Sequence, residues 1–174
     1  MSKLLSLVIV TVFLGCLGCS PHQATISDTA DLQSPSANEE RSLSLFSINS
    51  SDGTILITTN NIASYDWESH TITLKPGVKE RLLTKLAPDL VGGYPFQLIA
   101  KGQPIYYGNF ITSLSSITLN TPIIDLQSFD RIPLREDQIR LELGYPTEDF
   151  FQGHDPRNAD AIYESLKEAN ILKD

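Results

Sequence analysis

Apolar and polar positions first fall into a regular pattern near Leu43. Leu43 and Leu45, then Phe46 and Ile48, predict a strand, the polar run Asn49-Ser50-Ser51-Asp52-Gly53 a turn, and Ile55-Leu56-Ile57 a returning strand, so a hairpin is expected. His70-Thr71-Ile72-Thr73-Leu74 alternates, with Ile72 and Leu74 on one face and both threonines on the other, which predicts a half-buried strand. After Pro76-Gly77 the period changes. Val78, Leu82 and Leu86 are spaced by four and Leu83 widens the stripe, while Lys79, Glu80, Arg81 and Lys85 lie off it, so an amphipathic helix ending near Pro88 follows.

Phe96 to Ala100 and Ile105 to Phe110 flank a turn at Lys101-Gly102, and Ser116-Ile117-Thr118-Leu119 alternates again; these strands are expected to pair as an antiparallel meander. The segment Ile139 to Leu143 carries both signals. Its alternation suits a strand, whereas Glu136-Asp137 before it and Gly144 after it suit a short helix, to which the reading leans. A last helix is expected from Asp155-Pro156 or Asn158, with Ile162, Leu166 and Ala169 inward. The elements together predict an α+β class: a small antiparallel sheet with one or two packed helices, forming a single domain over residues 42–174.

The chain before this domain has a different character. Residues 20–41 hold Ile26 and Leu32 as their only large aliphatic side chains and no aromatic ring, so they are expected to form a disordered tether with a reach of roughly 25 Å. Lys3 followed by the apolar run Leu4 to Leu14 reads as a signal sequence, since a bilayer-spanning helix needs about 20 apolar residues.

That signal ends in Phe13-Leu14-Gly15-Cys16-Leu17-Gly18-Cys19-Ser20, which resembles the bacterial lipobox, an apolar pair and a small residue before a cysteine. Cys16 has the better upstream residues; Cys19 is followed by the small polar Ser20. Residues 1–19 are thus expected to be signal peptide and lipobox, with Cys16 or Cys19 as the acylated residue. The resemblance implies a lipoprotein anchored by acyl chains such as palmitate on the extracytoplasmic side of a bacterial membrane. Neither Leu17 nor Ser20 is the Asp by which such proteins are retained at an inner membrane, so the outer membrane is implied where the host has one. Each buried methylene contributes ~0.8 kcal/mol, and two or three chains make attachment stable. The alternative for a Cys-x-x-Cys pair, a redox or zinc site, needs a folded βα unit or a second ligand pair beside it, and the rest of the chain has no cysteine.

Charge narrows the partners. The formal net charge of -8 becomes -9 when Lys3 leaves with the signal, which disfavours nucleic acid because phosphate contacts need an excess of Lys and Arg. The 41% hydrophobic content is that of a chain able to build a core.

One further resemblance rests on the order of elements. Ile57-Thr58-Thr59-Asn60-Asn61-Ile62, then Thr71 to Gly77 opening a helix, then Phe96 to Ala100, Lys101-Gly102 and Ile105 to Phe110 are similar to the head of the large periplasmic domain of SecD protein-export subunits. Lys101 stands where that family has Asp before the turn glycine, and no membrane-spanning bundle is legible here. The resemblance therefore implies an α+β module that touches other envelope polypeptides, not a translocation motor.

Candidate chemistry is sparse. His22, His70 and His154 are the three histidines, too few for a His-rich metal site, and His70 shares parity with Ile72 and Leu74, as a hydrogen-bonded histidine at a strand end would. Ser113, Ser115 and Ser116 lie outside any Gly-x-Ser-x-Gly elbow. Glu136-Asp137 and Glu148-Asp149 are adjacent pairs whose side chains diverge, Gly92-Gly93 is not a phosphate loop, and the Asn49 to Gly53 turn lacks a calcium loop's ligand spacing. No cofactor or metal is expected.

Two surfaces remain as interaction candidates: the locally basic helix with Lys75, Lys79, Arg81 and Lys85, and the aromatic hairpin with Tyr94, Tyr106, Tyr107 and Phe110, where alternation turns Tyr106 and Tyr107 to opposite faces. The function expected is that of a non-enzymatic envelope lipoprotein that binds another protein or a peptide; a small-ligand-binding lipoprotein is the alternative, and a hydrolase comes third.

The anchor is testable directly. Metabolic labelling with palmitate should mark the wild-type protein and fail in the Cys16→Ser, Cys19→Ser double variant, with the two single variants telling which cysteine is used; label retained in the double variant would remove the lipobox assignment.

Overall fold

The computed structural model describes residues 45–127 and 134–173. Cys16, Cys19, the tether and Leu43 lie outside them. Among the described residues nine strands form one mixed sheet and two α-helices pack against it. The strands are β1 (Phe46–Ser50), β2 (Ile55–Thr58), β3 (Ile62–Asp66), β4 (Thr71–Leu74), β5 (Tyr94–Ala100), β6 (Gln103–Ile111), β7 (Leu119–Asp125), β8 (Gln138–Tyr145) and β9 (Leu172–Lys173). Helix α1 spans Val78–Leu86 and α2 spans Asp160–Glu168. The order across the sheet is β2-β1-β5-β6-β7-β8-β4-β3-β9, with β6–β7 and β3–β9 parallel and every other neighbour antiparallel.

The sheet is strongly curled. Strands β1 and β3 are six places apart in the order, a separation of about 29 Å in a flat sheet at ~4.8 Å per strand. Yet the Phe46 and Tyr65 rings meet edge to face with centroids 6.5 Å apart. One continuous core therefore takes side chains from both ends of the sheet: Phe46 and Ile48 from β1, Tyr65 from β3, Ile72 from β4, Phe96 and Leu98 from β5, and Ile139 and Leu141 from β8 are all fully buried.

Helix α2 spans the gap between the ends, contacting β1, β5 and β9. It buries Ile162, Ser165 and Leu166; the Ser165 hydroxyl donates to Ala161 O at 2.6 Å and accepts from the Lys101 amide at 3.2 Å, at the tip of the β5–β6 hairpin. Beyond it, Tyr65 N donates to Ile171 O at 2.7 Å where β9 joins β3. Helix α1 turns Val78, Leu82 and Leu86 into the same core. Its start fits Gly77, whose φ of +76° lies in the left-handed region that favours glycine.

The β1–β2 hairpin, β4, α1, the β5–β6 hairpin and α2 lie where the hydrophobic pattern puts them. The sheet is larger than expected and is not purely antiparallel, for reasons that can be named. Strand β8 replaces the helix expected at Ile139 to Leu143, because Ile139 and Leu141 reach the core on alternate positions and period two outweighs the flanking cap residues.

The expected meander fails at β6–β7, which run parallel. Residues 112–118, including Ser116 to Thr118 of the expected strand, carry the chain back before β7 begins at Leu119. There Ile117 and Leu119 pack on a second cluster of Ile111, Ile123 and Tyr145. Strand β4 is buried on both faces rather than half-buried, since Arg140 Nε and Gln138 Nε2 from β8 donate to the Thr71 and Thr73 hydroxyls at 3.1 and 3.4 Å. Strands β3 and β9 escaped the sequence pattern, and β7 shares only Leu119 with the strand expected before it.

Gly108 on β6 marks the tightest place in the curl. It faces Phe96 across the β5–β6 pair, and a Cβ there would overlap both the Phe96 ring and the Pro122 carbonyl. Gly108→Ala is expected to destabilise the fold by about 1–3 kcal/mol, the usual cost of overpacking, as a lower urea midpoint. An unchanged midpoint would show that the strands yield there.

Candidate functional site

The two surfaces read from the sequence fare differently. On β6 the inward positions are Tyr106, Gly108 and Phe110, so Phe110 is fully buried and Tyr106 is buried at 8% exposure, whereas Tyr107 points outward at 65%. The alternation of Tyr106 and Tyr107 is as expected. The aromatic surface is not: Phe110 and Tyr106 belong to the core, packed on Phe96 in tilted and edge-to-face contacts at centroid distances of 5.0 and 6.5 Å, and Tyr94 is half-buried against it. Of that set Tyr107 alone is widely exposed.

The basic helix contributes more. Lys75, Arg81 and Lys85 are exposed and Lys79 is half-buried. Lys75 and Lys79 line a groove of about 780 Å³ between the start of α1 and the turn before β8. Among the described residues its apolar part is Pro76, Leu83, Leu126 and Leu134, and its charged rim adds Glu80, Arg135, Glu136 and Asp137. Lys79 Nζ donates to Gln138 O at 2.9 Å, and burial holds its pKa below the usual lysine value against the opposing charges of Asp125, Asp137 and Glu136. Arg135 Nε stands 3.5 Å from the Asp137 carboxylate. An ammonium carries three donors, so Lys79 keeps hydrogen-bonding capacity beyond the Gln138 carbonyl. No sequence pattern could have joined residues 75–83 to 126–127 and 134–137; the signal legible in the sequence was the local excess of lysine in the first of these segments.

A second polar cluster lies where β3 turns into β4. Asp66 accepts from the Ser69 amide at 2.9 Å and its hydroxyl at 2.7 Å, which closes the turn. His70, with φ of +52°, then places its ring inward, and its Nδ1 lies 3.2 Å from the Tyr65 hydroxyl. Trp67 packs on both rings, with centroids 6.1 Å from Tyr65 and 5.8 Å from His70. Arg157, gripped by Asp155 at 2.8 Å, donates from Nη1 to Leu141 O at 2.9 Å on the adjoining strand. Tyr65 and Tyr106 have their ionisation pushed up by burial, so both hydroxyls stay protonated. His70 is thus a hydrogen-bonded histidine at a strand end.

Two of the three serines considered for nucleophilic chemistry are committed elsewhere, and Ser116 is exposed. Ser115 Oγ donates to Leu90 O at 3.0 Å and Ser113 Oγ to Gln127 O at 3.0 Å, stitching loops together. His154 is exposed. Among the described residues no three His, Cys, Asp or Glu side chains group as metal ligands, and no helix is long and apolar enough to cross a membrane. Compared with family models, curated proteins and solved structures, the chain matches none.

The His70 cluster has a consequence in acid. Burial first, then the Arg157 charge, lowers the His70 pKa below its ordinary 6.5, while Asp155 and Asp66 oppose this. The unfolded chain then takes up the proton first as pH falls, so the stability due to a neutral His70 is complete above about pH 6.5 and declines from there toward the lowered folded value. Urea midpoints should fall between pH 7.5 and 5.5, and His70→Gln should flatten that dependence. A wild-type midpoint constant across the interval would contradict it.

Proposed function

We propose that this protein is a lipid-anchored envelope protein whose domain binds a polypeptide segment without transforming it, and that the groove beside α1 is the binding site. The observation that carries the reading is the composition of that groove among the described residues: apolar Leu83, Leu126 and Leu134 beside cationic Lys75, Lys79 and Arg135 and anionic Glu80, Glu136 and Asp137. A uniform polyanion or polycation would meet like charge on such a rim. A polypeptide of mixed sequence can satisfy both signs and place an apolar side chain between them. The lipobox reading supplies the membrane, and a tether of roughly 25 Å would let the groove face partners in the same envelope. The order of elements shared with the SecD head is consistent with a domain that touches other polypeptides, although fold-level likeness does not by itself transfer function.

A photoreactive residue at Leu83 in intact cells tests the reading, with Tyr107, which does not line the groove, as the comparison position. The expected result is one envelope polypeptide captured from Leu83 and lost when Lys79→Glu is added. Failure of a folded, well-expressed protein to capture any polypeptide from Leu83 would overturn it; a ligand-dependent rise in melting temperature would then favour a small-ligand site.

A further inference from the structure

At the β3–β9 edge of the sheet, where β3 ends and α2 passes, Trp67 and Tyr163 meet edge to face. Their centroids are 5.1 Å apart and their planes cross at 78°. They form one corner of a small pocket of about 280 Å³ completed by Asp66, Glu68, Leu172 and Lys173. This is just below the ~300–1,000 Å³ of sites for drug-sized molecules and suits a single headgroup.

The corner combines two elements that attract an organic cation. Aromatic faces carry negative quadrupole density that a poorly hydrated cation can approach, and nearby carboxylates add Coulombic attraction. Trp67 is half-buried and Tyr163 is 36% exposed, so both rings keep surface toward solvent. Glu68 is exposed, and Asp66, fixed by Ser69, is held below the usual carboxylate range and stays charged. The Tyr163 ring already attracts a cation of the chain's own: Lys167 Nζ stands 5.8 Å from its centroid. The pocket also draws on two segments about a hundred residues apart, 66–68 and 163–173, so its shape is held by the tertiary fold and not by one loop.

We propose that this corner is a binding site for a quaternary ammonium group, with Trp67 and Tyr163 as its aromatic walls and Glu68 and Asp66 as its counter-charges. Lys173 on the lining sets a preference: an ammonium whose other end is anionic places that end toward Lys173, whereas a dication would not be favoured. A free solute and a lipid headgroup share this chemistry.

Trp67 is the sole tryptophan of the chain, so its fluorescence reports on the corner directly. The full chain in non-ionic detergent would be titrated with choline and, separately, with 3,3-dimethylbutan-1-ol, its uncharged isostere. Choline should give a saturable change in emission and the alcohol none. Tyr163→Leu keeps apolar bulk but removes a π face, and should weaken choline by roughly 2- to 30-fold, the range that cation–π energies span. Glu68→Gln, at an exposed position, should weaken it with the urea midpoint unchanged. No saturable response, an equal response to the alcohol, or full affinity in both variants would overturn the proposal. With choline binding in hand, the same emission change on moving the chain from phosphatidylglycerol to phosphatidylcholine vesicles names a lipid headgroup as the source, and its absence names a free solute.

Discussion

The contact between Phe46 and Tyr65 stands for the constraint on which this structure depends: a nine-stranded sheet must curl until strands near its two ends share one apolar interior. The β1–β2 hairpin could not stand alone, because a two-stranded ribbon is marginally stable at best without further strands or a helix to cover its apolar face. Once the ends meet, Phe46, Tyr65, Phe96, Phe110 and the aliphatic side chains around them form one core, and α2 fills the remaining gap with Ile162 and Leu166. Glycine at 108 follows from the same constraint. The curl brings the Phe96 ring and the Pro122 carbonyl into the space a side chain would need.

The curl also decides where polar groups are trapped. Tyr65, His70 and Tyr106 bring hydroxyls and an imidazole into the interior, and the first two satisfy each other at 3.2 Å. The Tyr106 hydroxyl is buried without a hydrogen-bond partner among the described residues. A buried, unsatisfied hydroxyl costs stability, so its ring is retained in spite of the hydroxyl, through its packing on Phe96. Arg157 is handled differently: Asp155 neutralises it and the Leu141 carbonyl uses one of its donors, which ties the approach to α2 to the middle of β8.

Both proposed binding regions lie at margins of this core. The groove beside α1 forms where a helix covers the sheet and meets the turn leading into β8; the Trp67–Tyr163 corner forms at the outer edge, where β9 adds only two residues to β3. Their chemistry differs. The groove presents charges of both signs beside leucines, suited to a polypeptide, while the corner presents aromatic faces beside carboxylates, suited to one compact cation. The sequence pointed to half of the first, through Lys75 and Lys79, and to none of the second, because Trp67 is about a hundred residues from Tyr163 and Lys173 along the chain.

The sequence by itself determined the elements whose signal is local. Val78, Leu82 and Leu86 mark α1 because a helix repeats every 3.6 residues whatever it packs against, and Gly102 marks the β5–β6 hairpin because glycine adopts the turn's positive φ without a Cβ penalty. Tertiary structure decided the rest. Strand β3 was hidden because a register shift between Ile62 and Ser64 sets its buried residues, Ile62 and Tyr65, three apart and breaks the alternation. Strand β7 was hidden because its second half, Pro122 to Asp125, is buried on both faces and so does not alternate, and because Pro122 marks a sheet edge or a bulge; here it stands at a register shift against β8 in the middle of the sheet. The parallel pairing of β6 and β7, the burial of Phe110 and Tyr106, and the meeting of Trp67 with Tyr163 depend on which strands become neighbours when the sheet curls. Periodicity states that a residue has a buried face; it does not name the residue that will cover it.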